Sequence, residues 1–320
     1  MAKSSLTNAL LIFSAVLLLA GISPGATKTK SPPPKSASSK TAKKPAPTPT
    51  PAPLAPGELP LAAKSAILLD AKTGDVLYEK APDDMRFPAS ATKILTALLV
   101  LEKGDLDQKV TIQIEDTKVE PSALEFKPGE EYTRRQLLFA LLLKSANDVA
   151  LALARDNAGS VKEFAEKMNQ RAEALGAKSS HFTNPHGLHD PHHFTTARDL
   201  ALIARFAMQQ PFFREIVATP EFSMMRGDEL VQMKNHNKLL GMFPGCIGVK
   251  TGYTRASQQV LVSCAIRAGC EAISVIMSSD KPGIWNDSKT LLEHAFAKLG
   301  APVPPAAPAP DSKPAAEPVR

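Results

Sequence analysis

Apolar residues at both ends of the central part of the chain follow the spacing of β-strands. The apolar runs 65–69 and 76–79 flank a polar segment that contains Gly74, and this pattern predicts a β-hairpin. The runs 260–266 and 272–277 have a similar composition and flank a second turn that contains glycine. The pattern therefore predicts one antiparallel sheet that is assembled from both ends of this part of the chain.

Between the two strand pairs, the apolar spacing becomes helical. Leu- and Ala-rich runs over 94–101 and 137–154 favour helices. A third helical run, over 291–299, is amphipathic and ends at Gly300, a residue typical of helix C-termini. Strands at both ends with helices between them predict an α+β fold, in which helices cover the antiparallel sheet.

The first 26 residues have the pattern of an export signal. A short polar stretch with Lys3 precedes an apolar run from about residue 9 to 20, which is shorter than the ~20 apolar residues of a membrane span. We predict that residues 1–26 are a signal peptide or, if they are not cleaved, an anchor that associates the protein with the membrane. Both alternatives predict a protein of the periplasm or of the outer face of the cytoplasmic membrane.

Two segments are too poor in large apolar side chains to fold by themselves. Residues 27–58 consist mainly of Lys, Pro, Ala, Ser and Thr, and residues 301–320 are rich in Pro and Ala. Such segments bury too little apolar surface to become ordered, so we predict a disordered linker and a disordered tail. Residues 59–300 are then the predicted folded domain.

The positive net charge does not indicate a nucleic-acid-binding protein. The whole chain has a net charge of +6. Residues 1–57 contain seven lysines and no acidic residue, so the rest of the chain has a net charge of 6 − 7 = −1. A nucleic-acid-binding protein carries its positive charge on a folded face or helix. We therefore exclude nucleic acid as a partner.

Three cysteines, Cys246, Cys264 and Cys270, are too few for a disulfide framework. Cys264 and Cys270 lie on either side of the turn between the last two predicted strands. A bridge across this turn in an oxidising compartment and two buried thiols remain as alternatives.

A serine and a lysine are spaced for chemistry at the start of the first predicted helix. Ser90 and Lys93 would share one helix face, because residues three apart lie about 5–6 Å apart at Cβ. A lysine takes the proton of a serine only where burial or a nearby cation keeps its amine neutral. The pattern indicates a nucleophile and its base, but alone it also fits a serine helix cap followed by a solvated lysine.

Two further polar elements follow along the chain. Ser145 and Asn147 interrupt a strongly apolar stretch, where a buried unsatisfied polar group costs about 1–3 kcal/mol, so they need partners. Alone, they also fit a helix end or an interhelical turn. Lys250, Thr251 and Gly252 lie together on a strand, where glycine lets another chain segment approach closely.

In order, these elements read S-x-x-K, S-x-N and K-T-G, the motif set of penicillin-binding proteins and class A β-lactamases. From about residue 62 to 300, the chain resembles the low-molecular-mass penicillin-binding proteins of the D-alanyl-D-alanine carboxypeptidase type, the S11 serine peptidases. The resemblance extends to the opening hairpin and to the segments 88–90, 147–148, 184–188, 196–201 and 235–240. It implies a penicillin-binding/β-lactamase-like fold, with a helical subdomain beside the sheet.

The resemblance also implies the roles of individual residues. Ser90 would be acylated by the penultimate D-Ala carbonyl, with Lys93 as the general base. Ser145 and Lys250 would relay a proton to the leaving amine, and Asn147 would orient the substrate amide. The implied substrate-binding residues are Lys250, Thr251, Gly252, Tyr253, whose backbone N–H would complete an oxyanion hole with that of Ser90, and Thr254.

The function implied by the resemblance is the removal of the terminal D-Ala from peptidoglycan stem pentapeptides, with a role in cell wall organisation and cell shape. The implied partners are these stem peptides and, as covalent inhibitors, β-lactam antibiotics. No cofactor is expected. A departure from the family pattern occurs after Thr254, where residues 255–259 replace an acidic residue followed by Ala-Gly, which leaves the substrate preference open.

Five of the seven histidines crowd one segment with Asp190: His181, His186, His189, His192 and His193. Histidine clusters bind zinc, but this spacing matches no closed zinc site. We therefore predict no metal.

Three other functions share these features in part. A β-lactamase needs a deacylating carboxylate, usually in an E-x-x-L-N segment, and none occurs between Asn147 and Lys250. A DD-endopeptidase, which cleaves peptidoglycan cross-links, would use the same residues and remains an alternative. A non-catalytic cell-wall-binding protein on the same fold is a second alternative, although it would not need all the motif residues.

Overall fold

The structure is a computed structural model that describes residues 57–302. The predictions for the leader at 1–26, for nearly all of the linker and for the tail from residue 303 fall outside the described residues.

Strands at both ends of this part of the chain enclose a helical middle. In chain order, the elements are β1 (Ser65–Asp70), β2 (Val76–Lys80), α1 (Lys93–Lys103), β3 (Lys109–Thr111), β4 (Glu131–Thr133), α2 (Arg134–Phe139), α3 (Asn147–Ala158), α4 (Val161–Ala174), α5 (Ala197–Ala207), α6 (Pro211–Ala218), β5 (Glu221–Arg226), β6 (Glu229–Lys234), α7 (Leu239–Met242), β7 (Cys246–Thr254), β8 (Gln258–Arg267), β9 (Cys270–Ser279) and α8 (Gly283–Lys298). A 3-10 turn, Ala89–Thr92, precedes α1, and a π-helical segment, Ala140–Lys144, follows α2.

The main sheet has five antiparallel strands in the order β2-β1-β9-β8-β7. The N-terminal hairpin β1–β2 therefore lies beside strands from the C-terminal end, which confirms the sheet and the α+β class predicted from the sequence. Two small two-stranded antiparallel sheets, β3–β4 and β5–β6, were not predicted.

Hydrophobic cores cover both faces of the main sheet, because successive side chains of a strand point to opposite faces. In β1, Ile67 and Leu69 belong to the core formed with the helical middle of the chain. Ala66 and Leu68 belong to the other core, which α8 covers with Leu291, Leu292, Ala295 and Phe296. The sheet is therefore buried between the helical middle and α8.

The helix predicted over 137–154 is interrupted. The chain leaves the helical path at Ser145, which has left-handed backbone angles of φ 61° and ψ 32°, and α3 starts at Asn147. The Asn147 N–H donates instead to the Ser122 carbonyl, 2.7 Å away. Ser145 and Asn147 thus lie at a turn between two helical segments, which is one of the alternatives that the sequence left open, and contacts with a distant loop stabilise this turn.

The last helix begins eight residues earlier than predicted, at Gly283 rather than 291. Its first half contains polar residues that are buried, among them Asp287. The Asp287 carboxylate accepts hydrogen bonds from the Ala62 and Ala63 N–H groups, each at 2.9 Å, and from the Ser279 hydroxyl at 2.8 Å. These distant partners make a polar residue compatible with a buried helix face.

All three cysteines are free thiols, so the alternative of a bridge across the β8–β9 turn is not realised. Cys264 faces Ile273 in the strand register, whereas Cys270 faces Arg267. The buried Cys264 Sγ donates to Glu271 Oε1 at 3.2 Å.

Within residues 57–302, no helix combines the length and the apolar composition needed to span a membrane.

Candidate active site

Ser90 lies in the 3-10 turn before α1, and Lys93 is the first residue of that helix. The Lys93 Nζ is 3.2 Å from the Ser90 Oγ, so the spacing read from the sequence brings the two groups into hydrogen-bonding distance. Ser90 is only half-buried and faces a cavity, whereas Lys93 is completely buried behind it. A hydroxyl in this position is reachable by a ligand, while the amine behind it is shielded from water.

The surroundings of Lys93 favour a neutral amine. Burial lowers the pKa of Lys93 well below the usual 10.5, and the charge of Lys250 lowers it further, while Asp148 opposes both effects. The Lys93 Nζ also donates to the Asn147 Oδ1 at 2.6 Å and to the His186 carbonyl at 2.7 Å. These two acceptors use both N–H groups of a neutral amine and leave its lone pair for the Ser90 hydroxyl.

Ser145 and Asn147 stand at the break between the π-helical segment and α3. The Ser145 Oγ is buried and has no hydrogen-bond partner in the described part of the chain, although the residue lines the cavity. The Asn147 side chain is occupied at both ends, because its Nδ2 donates to the Pro121 carbonyl at 2.6 Å. Ser145 therefore has an unused hydroxyl beside the cavity, while Asn147 is held between Lys93 and a loop.

Strand β7 forms the opposite wall of the cavity. Lys250 is buried, which lowers its pKa to about 7, and its Nζ donates to the Thr251 carbonyl at 3.0 Å. Gly252 packs directly on the turn that contains Ser90, where an added Cβ would lie 2.9 Å from the Ser90 nitrogen. The absence of a side chain at Gly252 thus lets the two backbones approach closely.

The cavity between these elements has a volume of about 350 Å³. Of the residues predicted from the sequence, Ser90, Ser145, Thr251, Gly252 and Tyr253 line it. Lys93, Asn147 and Lys250 are buried and are not in its lining.

Thr254 is not brought into the cavity. Its Oγ1 lies 2.8 Å from the Ser257 Oγ and accepts from the Ser257 N–H at 3.0 Å, so it is already bonded within its own turn.

Several residues that line the cavity were given no role from the sequence. His236 and Trp285 are the most distinctive of them, and Pro121, Ser122 and Gln259 complete the wall. His236 belongs to the segment 235–240 that carries part of the family resemblance, but nothing in that segment indicates where the ring lies. Trp285 lies in the first turn of α8, the part of that helix that the apolar pattern did not reveal.

The histidine-rich segment, residues 181–193, packs against the turn that contains Ser90 and against the start of α1. Besides the His186 carbonyl, the Pro185 carbonyl accepts a hydrogen bond from the Thr96 Oγ1 at 2.7 Å. A Cβ added to Gly187 would lie 1.8 Å from the Ala89 carbonyl oxygen. Among the residues described, no group of three or more His, Cys, Asp or Glu side chains is arranged to hold a metal ion.

The chain matches the family model of the D-alanyl-D-alanine carboxypeptidases, peptidase S11, over residues 52–281. D-alanyl-D-alanine carboxypeptidase DacB2 of Mycobacterium tuberculosis is 38% identical over 252 residues, which cover 75% of this chain and 86% of that protein. A D-alanyl-D-alanine endopeptidase of Pseudomonas aeruginosa is 33% identical over 212 residues, which cover 65% of this chain and 68% of that one.

Solved structures show the same relationship. The crystal structure of a D-alanyl-D-alanine carboxypeptidase from M. tuberculosis is similar with a TM-score of 0.72 and 37% identity, covering 75% of this chain and 94% of that one. The DD-transpeptidase of Streptomyces K15 is similar with a TM-score of 0.71 and 34% identity, covering 75% of this chain and 99% of that one. The family model, the sequence relatives and the shared architecture agree, and the chain belongs to the D-alanyl-D-alanine carboxypeptidase family of serine peptidases.

Proposed function

We propose that this protein is a serine-type D-alanyl-D-alanine carboxypeptidase that removes the terminal D-Ala of peptidoglycan stem pentapeptides. The observation that carries the proposal is the 3.2 Å contact between the Ser90 Oγ and the buried Lys93 Nζ at the wall of an open cavity. A hydroxyl becomes a useful nucleophile at neutral pH only beside such a base.

In the acylation step, the Ser90 oxygen attacks the carbonyl of the penultimate D-Ala while Lys93 takes the hydroxyl proton. The negative charge on the carbonyl oxygen is stabilised by the backbone N–H groups of Ser90 and Tyr253. A donor of this kind contributes about 2.7–4 kcal/mol to transition-state stabilisation in serine peptidases. The close packing of Gly252 on the Ser90 turn supports this role, because it holds the two backbone segments together.

Collapse of the tetrahedral intermediate breaks the C–N bond, and the leaving D-Ala amine needs a proton. Ser145 and Lys250 relay this proton, with the buried and unpartnered Ser145 hydroxyl as the group that faces the amine. Lys250 and Thr251 bind the terminal carboxylate, a suitable partner for a cation and a hydroxyl. Water then attacks the acyl carbon and gives one proton back to Lys250 through Ser145. The proton held by Lys93 returns to the Ser90 oxygen as the ester bond breaks, and the shortened peptide leaves.

The same chemistry makes β-lactam antibiotics covalent inhibitors, because Ser90 opens the lactam ring and the product remains attached. A substrate of this kind belongs to the cell wall, so we also infer that the protein is exported. The apolar run near the N-terminus supports export.

The test is covalent labelling of the purified full chain with a fluorescent penicillin, followed by intact mass. Wild type should gain the mass of one penicillin and Ser90→Ala none. Ser122→Ala is the matched control, because this serine lines the same cavity and should leave labelling unchanged. Labelling of Ser90→Ala would move the nucleophile elsewhere, and a folded wild type without any adduct would favour a non-catalytic wall-binding protein.

Labelling does not separate a carboxypeptidase from an endopeptidase, so a second assay compares two substrates. A carboxypeptidase releases D-Ala from a free pentapeptide faster than it cleaves a cross-linked dimer of stem peptides. The opposite preference would favour the endopeptidase alternative.

A further inference from the structure

His193 is a buried histidine that is hydrogen-bonded on both sides of its ring and lies next to the catalytic turn. Its side chain is 1% exposed. The Nδ1 accepts a hydrogen bond from the Thr183 N–H at 3.0 Å, and the Nε2 lies 2.8 Å from the Thr92 Oγ1. Thr92 is itself buried and lies in the 3-10 turn between Ser90 and Lys93. The ring therefore connects the histidine-rich segment to the turn that carries the nucleophile.

The partners of the ring define its tautomer. A backbone N–H can only donate, so Nδ1 must accept and carries no proton. A neutral ring then has its proton on Nε2 and donates it to the Thr92 Oγ1. The Thr183 N–H thus donates to the ring, and the ring in turn donates to Thr92 in the turn that contains Ser90.

The charges around His193 favour the neutral ring. Burial is the main cause that lowers its pKa to about 4, and His181 and Lys93 lower it further, while Asp190 opposes them. His186 is a further titratable neighbour, and burial and the charges of Lys93 and His193 lower its pKa as well. A second proton would have to sit on Nδ1, where it would meet the Thr183 N–H at 3.0 Å, closer than the Thr183 hydroxyl at 3.3 Å.

The histidine-rich segment is one of the elements that hold this turn, beside β7 on its other side. The Thr92 side chain makes no capping hydrogen bond to α1. The histidine-rich segment contacts the turn at the Lys93 amine, at the Ala89 carbonyl beside Gly187 and at the Thr92 hydroxyl. Of these, the third contact is a side-chain hydrogen bond that does not involve the predicted catalytic groups.

We propose that His193 is a positioning residue for acylation, which holds the turn of Ser90 and Lys93 through the hydrogen bond from its Nε2–H to Thr92. The inference rests on the proposed acyl-enzyme function. His193 does not line the substrate cavity, so it acts through Thr92 and not on the substrate. Its loss should slow the chemical step and leave noncovalent binding unchanged.

Two substitutions separate the two hydrogen bonds of the ring. His193→Gln keeps a donor near the Nε2 position and should retain the contact with Thr92. His193→Asn keeps an acceptor near the Nδ1 position and should lose that contact. His192→Gln is the matched control, because the neighbouring histidine is exposed.

The experiment measures the acylation rate constant and the noncovalent dissociation constant of a fluorescent penicillin separately, on the full chain. We expect about a tenfold slower acylation for His193→Asn, within the up to ~100-fold loss that a misplacement of about 1 Å causes. His193→Gln should lie within about threefold of wild type, and His192→Gln should match it. Thr92→Val should slow acylation as His193→Asn does, and the double variant should be no slower than either single variant.

A pH profile adds a readout that a purely structural residue would not change. As the pH falls, protonation of Lys93 lowers the acylation rate of the wild type. Near the pKa of His193, protonation of this ring should lower the rate a second time, and His193→Asn should not show this second decrease. Thermal unfolding of each variant identifies losses that arise from unfolded protein.

Each outcome separates the two proposals. A wild type that labels, with His193→Asn and Thr92→Val labelling at the same rate, would overturn the positioning role alone. The positioning role would also be overturned if these variants lost noncovalent affinity for penicillin by the same factor as they lost acylation rate. A folded wild type that forms no adduct would overturn the proposed function, and the positioning role with it.

Discussion

The two lysines at the candidate site are both buried, but their surroundings differ. The Lys93 Nζ lies within hydrogen-bonding distance of the Ser90 hydroxyl, the Asn147 amide and the His186 carbonyl. The Lys250 Nζ has one described partner, the carbonyl of the next residue. An amine with all its neighbours in place is prepared for proton transfer, whereas an amine with few partners is available to a ligand.

The same contrast extends to the elements that carry the two lysines. Lys93 lies in a turn and helix that the histidine-rich segment supports from behind, whereas Lys250 lies on a strand of the main sheet. Preorganised groups cost no rearrangement when the reaction occurs. We therefore interpret the helix side as the acylating part and the strand side as the part that recognises the ligand, and the following predictions test this division.

The largest expected effect is the loss of the base. Lys93→Met keeps an apolar chain of similar length but removes the amine, and we expect penicillin acylation to fall about 10²- to 10⁴-fold, as for other general bases. The labelling rate measures this. Lys103→Met, at the other end of α1, is the control and should label normally. If Lys93→Met labels at the wild-type rate, the base is another group.

A smaller loss of acylation rate is expected for a substitution at Gly252, where strand β7 contacts the turn that contains Ser90. In Gly252→Ala, the new Cβ would lie 2.9 Å from the Ser90 nitrogen and 3.2 Å from the Ala91 nitrogen, so strand and turn must separate. We expect a loss of up to ~100-fold in acylation rate, because small misplacements of reacting groups have effects of this size.

The control for that variant is Gly241→Ala, since a Cβ at this position meets no other atom within 4 Å. It should label like wild type. Normal labelling by Gly252→Ala would mean that the close approach of β7 to the nucleophile turn does not contribute to acylation.

The charge of Lys250 should also affect the pKa of Lys93. Acylation needs the neutral form of Lys93, so the rate should rise with pH through the lowered pKa of this amine, below the usual lysine range. Lys250 is one cause of that lowering, and Lys250→Met removes it. The pKa of Lys93 should then rise, and the acid limb of the pH profile should move to higher pH.

The measurement is the residual labelling rate of Lys250→Met between acid and alkaline pH, compared with wild type. Lys250→Arg is the matched control, because it keeps the positive charge. The acid side of its pH profile should lie closer to that of the wild type. A limb that moves to lower pH, or does not move, would contradict the electrostatic coupling of the two lysines.

Local patterns in the sequence were sufficient for the features that depend on neighbouring residues. Short apolar runs beside glycine-containing turns revealed β1, β2, β8 and β9, and the spacing of Ser90 and Lys93 predicted their contact. The sequence left open whether the helical run breaks at Ser145, because the Ser122 carbonyl, which accepts from the Asn147 N–H at this break, is distant in sequence. The start of α8 was missed for the same reason, since the backbone near Ala62 is what satisfies Asp287.

The walls of the cavity illustrate the same limit. Motifs indicated Ser90, Ser145 and the K-T-G strand, because their chemistry and spacing are recognisable in order along the chain. Trp285 reaches the cavity because α8 packs on the main sheet, and His236 lies just before α7, which packs on β7; no local pattern encodes this packing.

The smallest expected effect uses Trp285, the only tryptophan of the chain. It is half-buried and lines the cavity together with Ser90 and Thr251, so a ligand bound on the strand side changes the solvent exposure of its indole. We expect penicillin acylation to shift or quench the intrinsic fluorescence at the rate at which the adduct appears by mass. Ser90→Ala should show at most the change caused by noncovalent binding. An adduct that forms in wild type without any change in fluorescence would place the bound ligand away from α8 and restrict recognition to β7.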